Sequence, residues 1–150
     1  MMMRFAAVLS SLLSVSVWGV HVDLTNSTLV SHLEQGKHLF VIYSNTKWDD
    51  ETGSHKDEKA AWERLAEKYK EDPVVLIGHV HCYKSGEELK MCKEHQISGY
   101  PTIAHYKGDE WSTPGNHQQY GGKRDFVSLV GFVETYLKLP KGAKKPKAEL

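Results

Sequence analysis

Hydrophobic and polar positions change their spacing several times along the chain, and each change predicts a new element. The short apolar stretch Val20–Leu24 predicts a strand, and Thr25 or Asn26 can then cap a helix that Gly36 ends. The run Lys37–Ser44 is apolar without alternation, which is typical of a central strand covered by helices on both faces.

The remaining pattern continues this alternation of strands and helices. A polar loop is predicted over Asn45–His55, followed by a helix over Lys56–Lys70 whose apolar residues recur at intervals of three and four. Further strands are predicted at Val74–Cys82, Thr102–Tyr106 and Gln118–Tyr120, and further helices from Ser85 to Gln96 and from Asp125 to Leu137. This order predicts an α/β fold in which a central mixed β-sheet is flanked by helices on both faces.

The first 19 residues do not fit the domain pattern. Arg4 supplies a positive start, Phe5–Val17 is a short apolar run, and small residues surround a cleavage point near Gly19. This predicts a secretory signal peptide over residues 1–19, with the mature chain beginning near Val20. The alternative, a buried amphipathic helix, is disfavoured because no polar face recurs at helical spacing.

Composition and charge narrow the class of protein. Apolar residues make up 40% of 150 residues, which is enough for one domain, here residues 20–138. The 19 basic and 19 acidic side chains balance, which argues against nucleic acid or a membrane surface as a partner. Prolines and a glycine interrupt residues 139–150 and predict a flexible basic tail, whose lysines leave the body of the chain mildly acidic.

Two short motifs bear on the compartment. The chain ends in Lys147, Ala148, Glu149 and Leu150, which resembles the Lys-Asp-Glu-Leu signal read by a retrieval receptor; the alternative is a chance lysine-rich end. Asn26, Ser27 and Thr28 form an N-glycosylation sequon, which agrees with the secretory route. We therefore expect the lumen of the endoplasmic reticulum, with secretion as the alternative.

Residues 21–138 resemble a thioredoxin-like module of the protein disulfide isomerase family. The specific stretches are Ile97–Thr102, which contains Gly-Tyr-Pro-Thr, and Tyr120–Leu129; the apolar strand Leu39–Tyr43 and the helix stretch Ala61–Ala66 are compatible but less specific. The resemblance implies a thioredoxin fold and, in catalytic members, disulfide exchange at a Cys-x-x-Cys motif.

That motif is missing at the matching positions. The family places Cys-Gly-His-Cys where this chain has Thr52, Gly53, Ser54 and His55, and the loop before it is about five residues longer than the family pattern. Disulfide exchange requires a thiolate with a lowered pKa and a second thiol, and neither Thr52 nor His55 supplies one. A threonine nucleophile activated by His55 is disfavoured because no acid is placed to orient the base. We expect no catalytic residue at this site.

The turn that binds peptide in the family is retained. The resemblance implies a cis Tyr100–Pro101 bond and a strand-like pairing of an extended polypeptide with the neighbouring backbone. Tyr100, Pro101 and Thr102 are therefore predicted to bind peptide, with Trp48 as an apolar contact; the alternative is that the turn only shapes the fold. Arg124 matches a family arginine that tunes a resolving cysteine; because that cysteine is missing here, we expect Arg124 to be a surface or salt-bridging residue.

Cys82 and Cys92 are the two cysteines of the chain. In an oxidising compartment an even pair is expected to form a disulfide, and some modules of the family carry a pair at these positions. The favoured interpretation is a structural bridge, since neither cysteine begins a helix or belongs to a Cys-x-x-Cys motif. The alternative is a displaced redox pair that makes the protein a thiol–disulfide oxidoreductase.

His79 and His81 alternate on one predicted strand and therefore share a face, as two metal ligands would. The sequence reveals no third ligand, so no metal or other cofactor is expected, and a metal-binding secreted protein remains the third hypothesis. The favoured prediction is a redox-inactive, thioredoxin-like protein of the endoplasmic reticulum that binds unfolded or partner polypeptide and assists folding.

Overall fold

The computed structural model describes residues 21–50, 52–107 and 117–138. The predicted signal peptide, the tail with Lys147–Leu150 and the loop tip at residues 108–116 lie outside the described residues. Within them, strands and helices follow one another in the order β1 (Val22–Asp23), α1 (Asn26–Glu34), β2 (His38–Ser44), α2 (Thr46–Asp49), α3 (Lys56–Tyr69), β3 (Val75–His81), α4 (Gly86–Glu94), β4 (Thr102–Lys107), β5 (Gln118–Gln119) and α5 (Phe126–Leu137).

The strands form one mixed sheet in the order β1-β3-β2-β4-β5. β1, β3 and β2 run parallel, whereas β4 pairs antiparallel with both β2 and β5. The central position of β2 explains its unbroken apolar sequence, because both of its faces are covered. The predicted mixed sheet with helices on both faces is confirmed.

Two apolar clusters cover the two faces of the sheet. Phe40 and Ile42 of β2 pack with α3 and α5, around the fully buried Trp62. Leu39, Val41 and Tyr43 point to the other face and pack with residues of α1 and α4. Alternation along β2 therefore divides the core into two layers.

Local signals place most of the helix ends. The Thr25 side chain accepts a hydrogen bond from the Thr28 N–H in a capping box, and Asn45, Ser85 and Asp125 cap α2, α4 and α5 in the same way. Gly36 has φ 75°, a conformation that glycine adopts without strain after the end of α1. No helix in the described ranges is both long and apolar enough to cross a membrane.

The polar loop predicted over Asn45–His55 is wrong in its first part. Residues Thr46–Asp49 form the short helix α2, which Asn45 begins. This helix is stabilised by tertiary packing, because Trp48 at its centre is 3% exposed and lies in the core between the sheet and α3.

The core also contains a buried polar network. The hydroxyl groups of Tyr43 and Tyr106 lie 2.6 Å apart, and Nδ1 of His95 lies 2.8 Å from the Tyr106 oxygen. Burial raises the pKa of both tyrosines and lowers the pKa of His95 below its ordinary value. All three side chains are therefore neutral at physiological pH.

Candidate functional site

Three segments meet at the start of α3: the stretch from Thr52 to His55, the turn before β4, and the segment before α5. Arg124 joins them. Its Nη2 donates to the Pro101 carbonyl at 3.1 Å, and its Nη1 lies 3.5 Å from Glu58 Oε2. His55 Nδ1 lies 3.4 Å from the same carboxylate oxygen, so Glu58 connects the start of α3 to the turn. These contacts link His55, one of the four positions matched to the family's active site, to the turn predicted to bind peptide.

The side chains at the positions matched to the family's cysteines form local hydrogen bonds. The Thr52 N–H and hydroxyl both donate to Asp50 Oδ1, at 2.9 Å and 2.8 Å. These bonds lower the pKa of the exposed Asp50 carboxyl. His55 occupies the cap position of α3 without a side-chain capping bond. Thr52 and Ser54 are exposed, and Gly53 and His55 are partly exposed. The base that contacts the Thr52 hydroxyl is thus the Asp50 carboxylate, and among the described residues His55 pairs with Glu58 and not with Thr52.

The turn from Gly99 to Thr102 presents main-chain groups at the surface. The Tyr100–Pro101 bond is cis, as the resemblance implies. The Thr102 hydroxyl donates to the Gly99 carbonyl at 2.6 Å and holds the turn closed. Within the described ranges, the N–H groups of Gly99 and Tyr100 and the carbonyl of Tyr100 form no hydrogen bond. Gly99 is exposed, Tyr100 is partly exposed, and Pro101 is buried.

Trp48 requires a correction. It was predicted as an apolar contact for peptide, but its indole is buried within the core cluster and packs edge-on against His79 at 5.1 Å between ring centroids. Lys59 covers it further, with Nζ 5.7 Å from the ring centroid. A side chain enclosed in this way offers no surface to a polypeptide. The hydrophobic gain from burying a tryptophan, the largest apolar side chain of α2, explains its position.

Cys82 and Cys92 are joined by a disulfide, with an S–S distance of 2.06 Å and a Cα–Cα distance of 6.0 Å. Cys82 directly follows β3, and Cys92 lies in α4. Their exposed fractions are 2% and 0%, so the bond is shielded from solvent. A thiolate that attacks a disulfide must reach one of its sulfur atoms, which this burial prevents in the folded protein.

His79 and His81 do lie on one face of β3, and the structure adds partners that the sequence analysis missed. His81 Nδ1 lies 2.7 Å from Asp49 Oδ2, and His81 Nε2 lies 3.1 Å from Asp23 Oδ1. His79 Nδ1 lies 3.4 Å from His21 Nε2. The sequence signal for these partners is the spacing His21-x-Asp23, which matches His79-x-His81. The pairing of β1 with β3 is also needed to bring the four side chains together.

The pKa values of this cluster follow from burial and from mutual contacts. Burial lowers the pKa of His79 to about 3, and the charge of His81 acts in the same direction. Burial alone raises the pKa of Asp49, but hydrogen bonds from Tyr83 and His81 outweigh it and leave the pKa below its ordinary value. Burial and the bond to Asp49 raise the pKa of Tyr83 to about 12. His79 is therefore neutral and Asp49 ionised over the physiological range.

The structure also shows where the predicted glycosylation residue and Arg124 lie. Asn26 is the exposed first residue of α1. Arg124 forms an ion pair with Glu58, which confirms the prediction of a salt-bridging residue. Its second contact, with the Pro101 carbonyl, joins the turn to α3 and was not predicted.

Comparison with known proteins gives relatives of one kind, although no protein-family model matches the chain. The chain is 29% identical over 124 residues to the Thioredoxin domain-containing protein 5 homolog of Drosophila melanogaster, covering 81% of this chain and 26% of that protein. It is 34% identical over 96 residues to Protein disulfide isomerase-like 5-4 of Oryza sativa subsp. japonica, covering 57% of this chain and 19% of that protein. The chain thus spans about a quarter or less of the length of these curated relatives.

A solved structure agrees with the architecture. The J-Trx1 fragment of ERdj5 matches with a TM-score of 0.63 and 21% identity, over 80% of this chain and 53% of that chain. The chain has a thioredoxin fold, and its curated relatives are thioredoxin-domain proteins of the protein disulfide isomerase family.

Proposed function

We propose that this chain is a redox-inactive, thioredoxin-like protein of the endoplasmic reticulum that binds polypeptide and assists folding. One observation carries the proposal: among the described residues, main-chain groups of Gly99 and Tyr100 form no hydrogen bond, and Arg124 links their turn to the start of α3, where this chain has Thr52 and His55 at the positions matched to the family's cysteines.

The turn has the groups that an extended polypeptide needs. Backbone N–H and C=O groups that lack a partner in the protein can pair with another chain by strand addition. Tyr100 contributes both kinds of group, and its partly exposed ring adds apolar surface at low conformational cost. The Pro101 carbonyl already accepts a hydrogen bond from Arg124, so Tyr100 is the residue that we propose to pair with the bound polypeptide.

The state of the two cysteines supports the proposal that the chain carries out no dithiol chemistry. The chain has two, and both are consumed in a buried disulfide that lies at the α4 side of the sheet. At the helix start, where catalytic members have their cysteines, this chain has Thr52 and His55, which bond to Asp50 and Glu58. This favours the binding hypothesis over the oxidoreductase hypothesis.

The relatives support a folding role in the endoplasmic reticulum, because protein disulfide isomerases act on secretory proteins. The signal peptide at residues 1–19, a retrieval receptor that reads Lys147–Leu150, and glycosylation at Asn26 remain predictions that agree with this compartment. Since the chain corresponds to a small part of each relative, the identity of the bound polypeptide is open to experiment.

Binding is tested with fluorescently labelled, reduced and alkylated ribonuclease A, a permanently unfolded probe, by fluorescence anisotropy. Gly99→Glu is the informative variant. A Cβ at this position meets nothing within 4 Å, so the fold tolerates the substitution while a charged side chain enters the proposed binding surface. We expect Gly99→Glu to weaken binding at least about tenfold, the loss that accompanies removal of an interaction worth about 1.4 kcal/mol.

Gly86→Glu is the matched control. Gly86 begins α4 and is equally open, so this variant adds the same charge away from the turn. Equal affinities of Gly99→Glu and Gly86→Glu would show that the turn is not the binding surface. Saturable binding that both variants retain would move the site elsewhere, and no binding by the unsubstituted chain would reject the proposal.

A further inference from the structure

Four metal-ligating side chains converge at the edge of the sheet, away from the turn that carries the proposed function. His21 directly precedes β1, and Asp23 ends it. Asp23 is the register partner of His79 on β3, and His81 follows two residues later. Because alternate residues of a strand share a face and the two strands are parallel, all four side chains lie on the same side of the sheet.

Three of the separations between their ligand atoms match those around a tetrahedral ion. Zn²⁺ bound at 2.0–2.1 Å by nitrogen and oxygen ligands in tetrahedral geometry holds these atoms about 3.3 Å apart. Here His21 Nε2 lies 3.3 Å from Asp23 Oδ1 and 3.4 Å from His79 Nδ1, and His81 Nε2 lies 3.1 Å from the same Asp23 oxygen. The chosen atoms of His21, Asp23 and His79 all lie within 4.8 Å of one another.

Hydrogen bonds on the opposite ring nitrogens leave the lone pairs facing inward. His21 Nδ1 bonds the carboxylate of Glu63 on α3. The Ser44 hydroxyl lies 3.3 Å from Asp49 Oδ1, an acceptor, and therefore donates to it. The same hydroxyl lies 2.7 Å from His79 Nε2, and in the tautomer in which it accepts the Nε2 proton, His79 Nδ1 carries the lone pair.

His81 is oriented in the same manner. Its Nδ1 lies 2.7 Å from Asp49 Oδ2 and its Nε2 lies 3.1 Å from Asp23 Oδ1, so in the neutral ring that donates to Asp49 the lone pair on Nε2 faces Asp23. Tyr83 also donates to the Asp49 carboxylate. Asp49 thus accepts three hydrogen bonds and acts as an outer partner, although its carboxylate is also near enough to His79 and His81 to form an alternative group of ligands.

We infer that His21, Asp23, His79 and His81 form a structural Zn²⁺ site that fastens the edge strand β1 to β3. A bound cation would replace the hydrogen bonds that join these nitrogens to one another and to Asp23. Imidazole and carboxylate ligands in a tetrahedral arrangement are typical of zinc. Four protein ligands correspond to a closed, structural site rather than a catalytic one. Glu63, Ser44 and Asp49 supply the outer hydrogen bonds that fix ring orientation in such sites.

The placement gives the metal a clear structural effect. β1 is two residues long, so few ladder hydrogen bonds hold it. His79 is 3% exposed and Asp23 is exposed, which buries the inner end of the site and leaves its outer end open for metal entry. A bound ion would cross-link two strands that are more than 50 residues apart in sequence.

The probe is Zn²⁺ alone, added to the full chain after removal of metal with a chelator. We expect one equivalent to bind in competition with a chromophoric chelator and to raise the melting temperature. X-ray absorption should show nitrogen and oxygen ligands at 2.0–2.1 Å, with histidine scattering. Asp23→Asn and His21→Gln are the ligand variants, because Asp23 is exposed and His21 is partly exposed. Each should weaken binding at least about tenfold, and Glu63→Gln should weaken it by about 10–100-fold.

His32→Gln is the matched control, since this histidine lies on α1 outside the cluster. It should bind Zn²⁺ as the unsubstituted chain does, and so should Gly99→Glu, which separates this site from peptide binding. Failure of the unsubstituted chain to bind one equivalent would overturn the inference. Equal affinities of Asp23→Asn, His21→Gln and the control would overturn it as well, because the metal would then be held elsewhere.

Discussion

Loss of the Cys82–Cys92 cross-link should destabilise the fold by an amount that follows from its position. The two cysteines are 10 residues apart, so the bond closes a short loop between the end of β3 and α4. In the chain-entropy model a loop of this length costs the unfolded chain about 9 cal/mol/K, which corresponds to about 2.7 kcal/mol at 25 °C. With a urea dependence of about 2 kcal/mol/M, the unfolding midpoint should fall by roughly 1.3 M when the bond is reduced.

Tryptophan fluorescence during urea unfolding measures this difference, because Trp48 and Trp62 are both buried. The unsubstituted chain is compared with and without a phosphine reductant, which keeps the sulfur atoms in place and changes only the cross-link. Cys82→Ala/Cys92→Ala is the control, and its midpoint must not respond to the reductant. A midpoint difference equivalent to less than about 0.5 kcal/mol would refute the entropic argument.

Three further outcomes follow from the core. Tyr106→Phe should lower the free energy of unfolding by about 1–3 kcal/mol, more than Tyr43→Phe does, because the Tyr106 hydroxyl bonds both Tyr43 and His95. Equal losses for the two variants in urea titrations would contradict the network. Burial lowers the pKa of His95, so the unfolded chain binds a proton that the folded chain excludes, and stability is lost as pH falls below about 6.5. His95→Gln should reduce that slope between pH 7 and 5 by up to about 1.4 kcal/mol per pH unit, measured with chelator present; an unchanged slope would show that His95 does not titrate on unfolding. Gly78→Ala should destabilise by about 1–3 kcal/mol, because its Cβ would lie 2.4 Å from Leu24 Cδ1; a melting temperature equal to that of the unsubstituted chain would show that Leu24 moves freely.

Local sequence was sufficient for most of the fold. Helix ends at Thr25, Ser85 and Asp125 depend on a side chain that bonds a backbone group three residues away, and this relation is visible in the sequence. The unbroken apolar run of β2 likewise indicated a central strand. The short helix α2 was missed because four residues carry too few local signals, and its stability comes from Trp48 packing against distant residues.

The same limit explains the errors at the candidate sites. An aromatic residue in a polar stretch is equally compatible with an exposed binding contact and with a buried core residue. Trp48 is buried because α3 packs over it, which the local sequence does not show. The face shared by His79 and His81 was predictable from their spacing. The approach of His21 and Asp23 was not, because it requires the register of β1 on β3, which no local pattern specifies.

The buried disulfide also determines how a bound polypeptide would leave. A protein that exchanges disulfides holds its client through a mixed disulfide, and the lifetime of that complex then depends on a resolving thiol or a reductant. With both sulfur atoms committed to each other inside the core, this chain has no thiol with which to form such a bond. Release of a polypeptide from the turn at Tyr100 would therefore be governed by its noncovalent dissociation rate alone, and different clients would be retained for different times without any change in the redox state of the compartment.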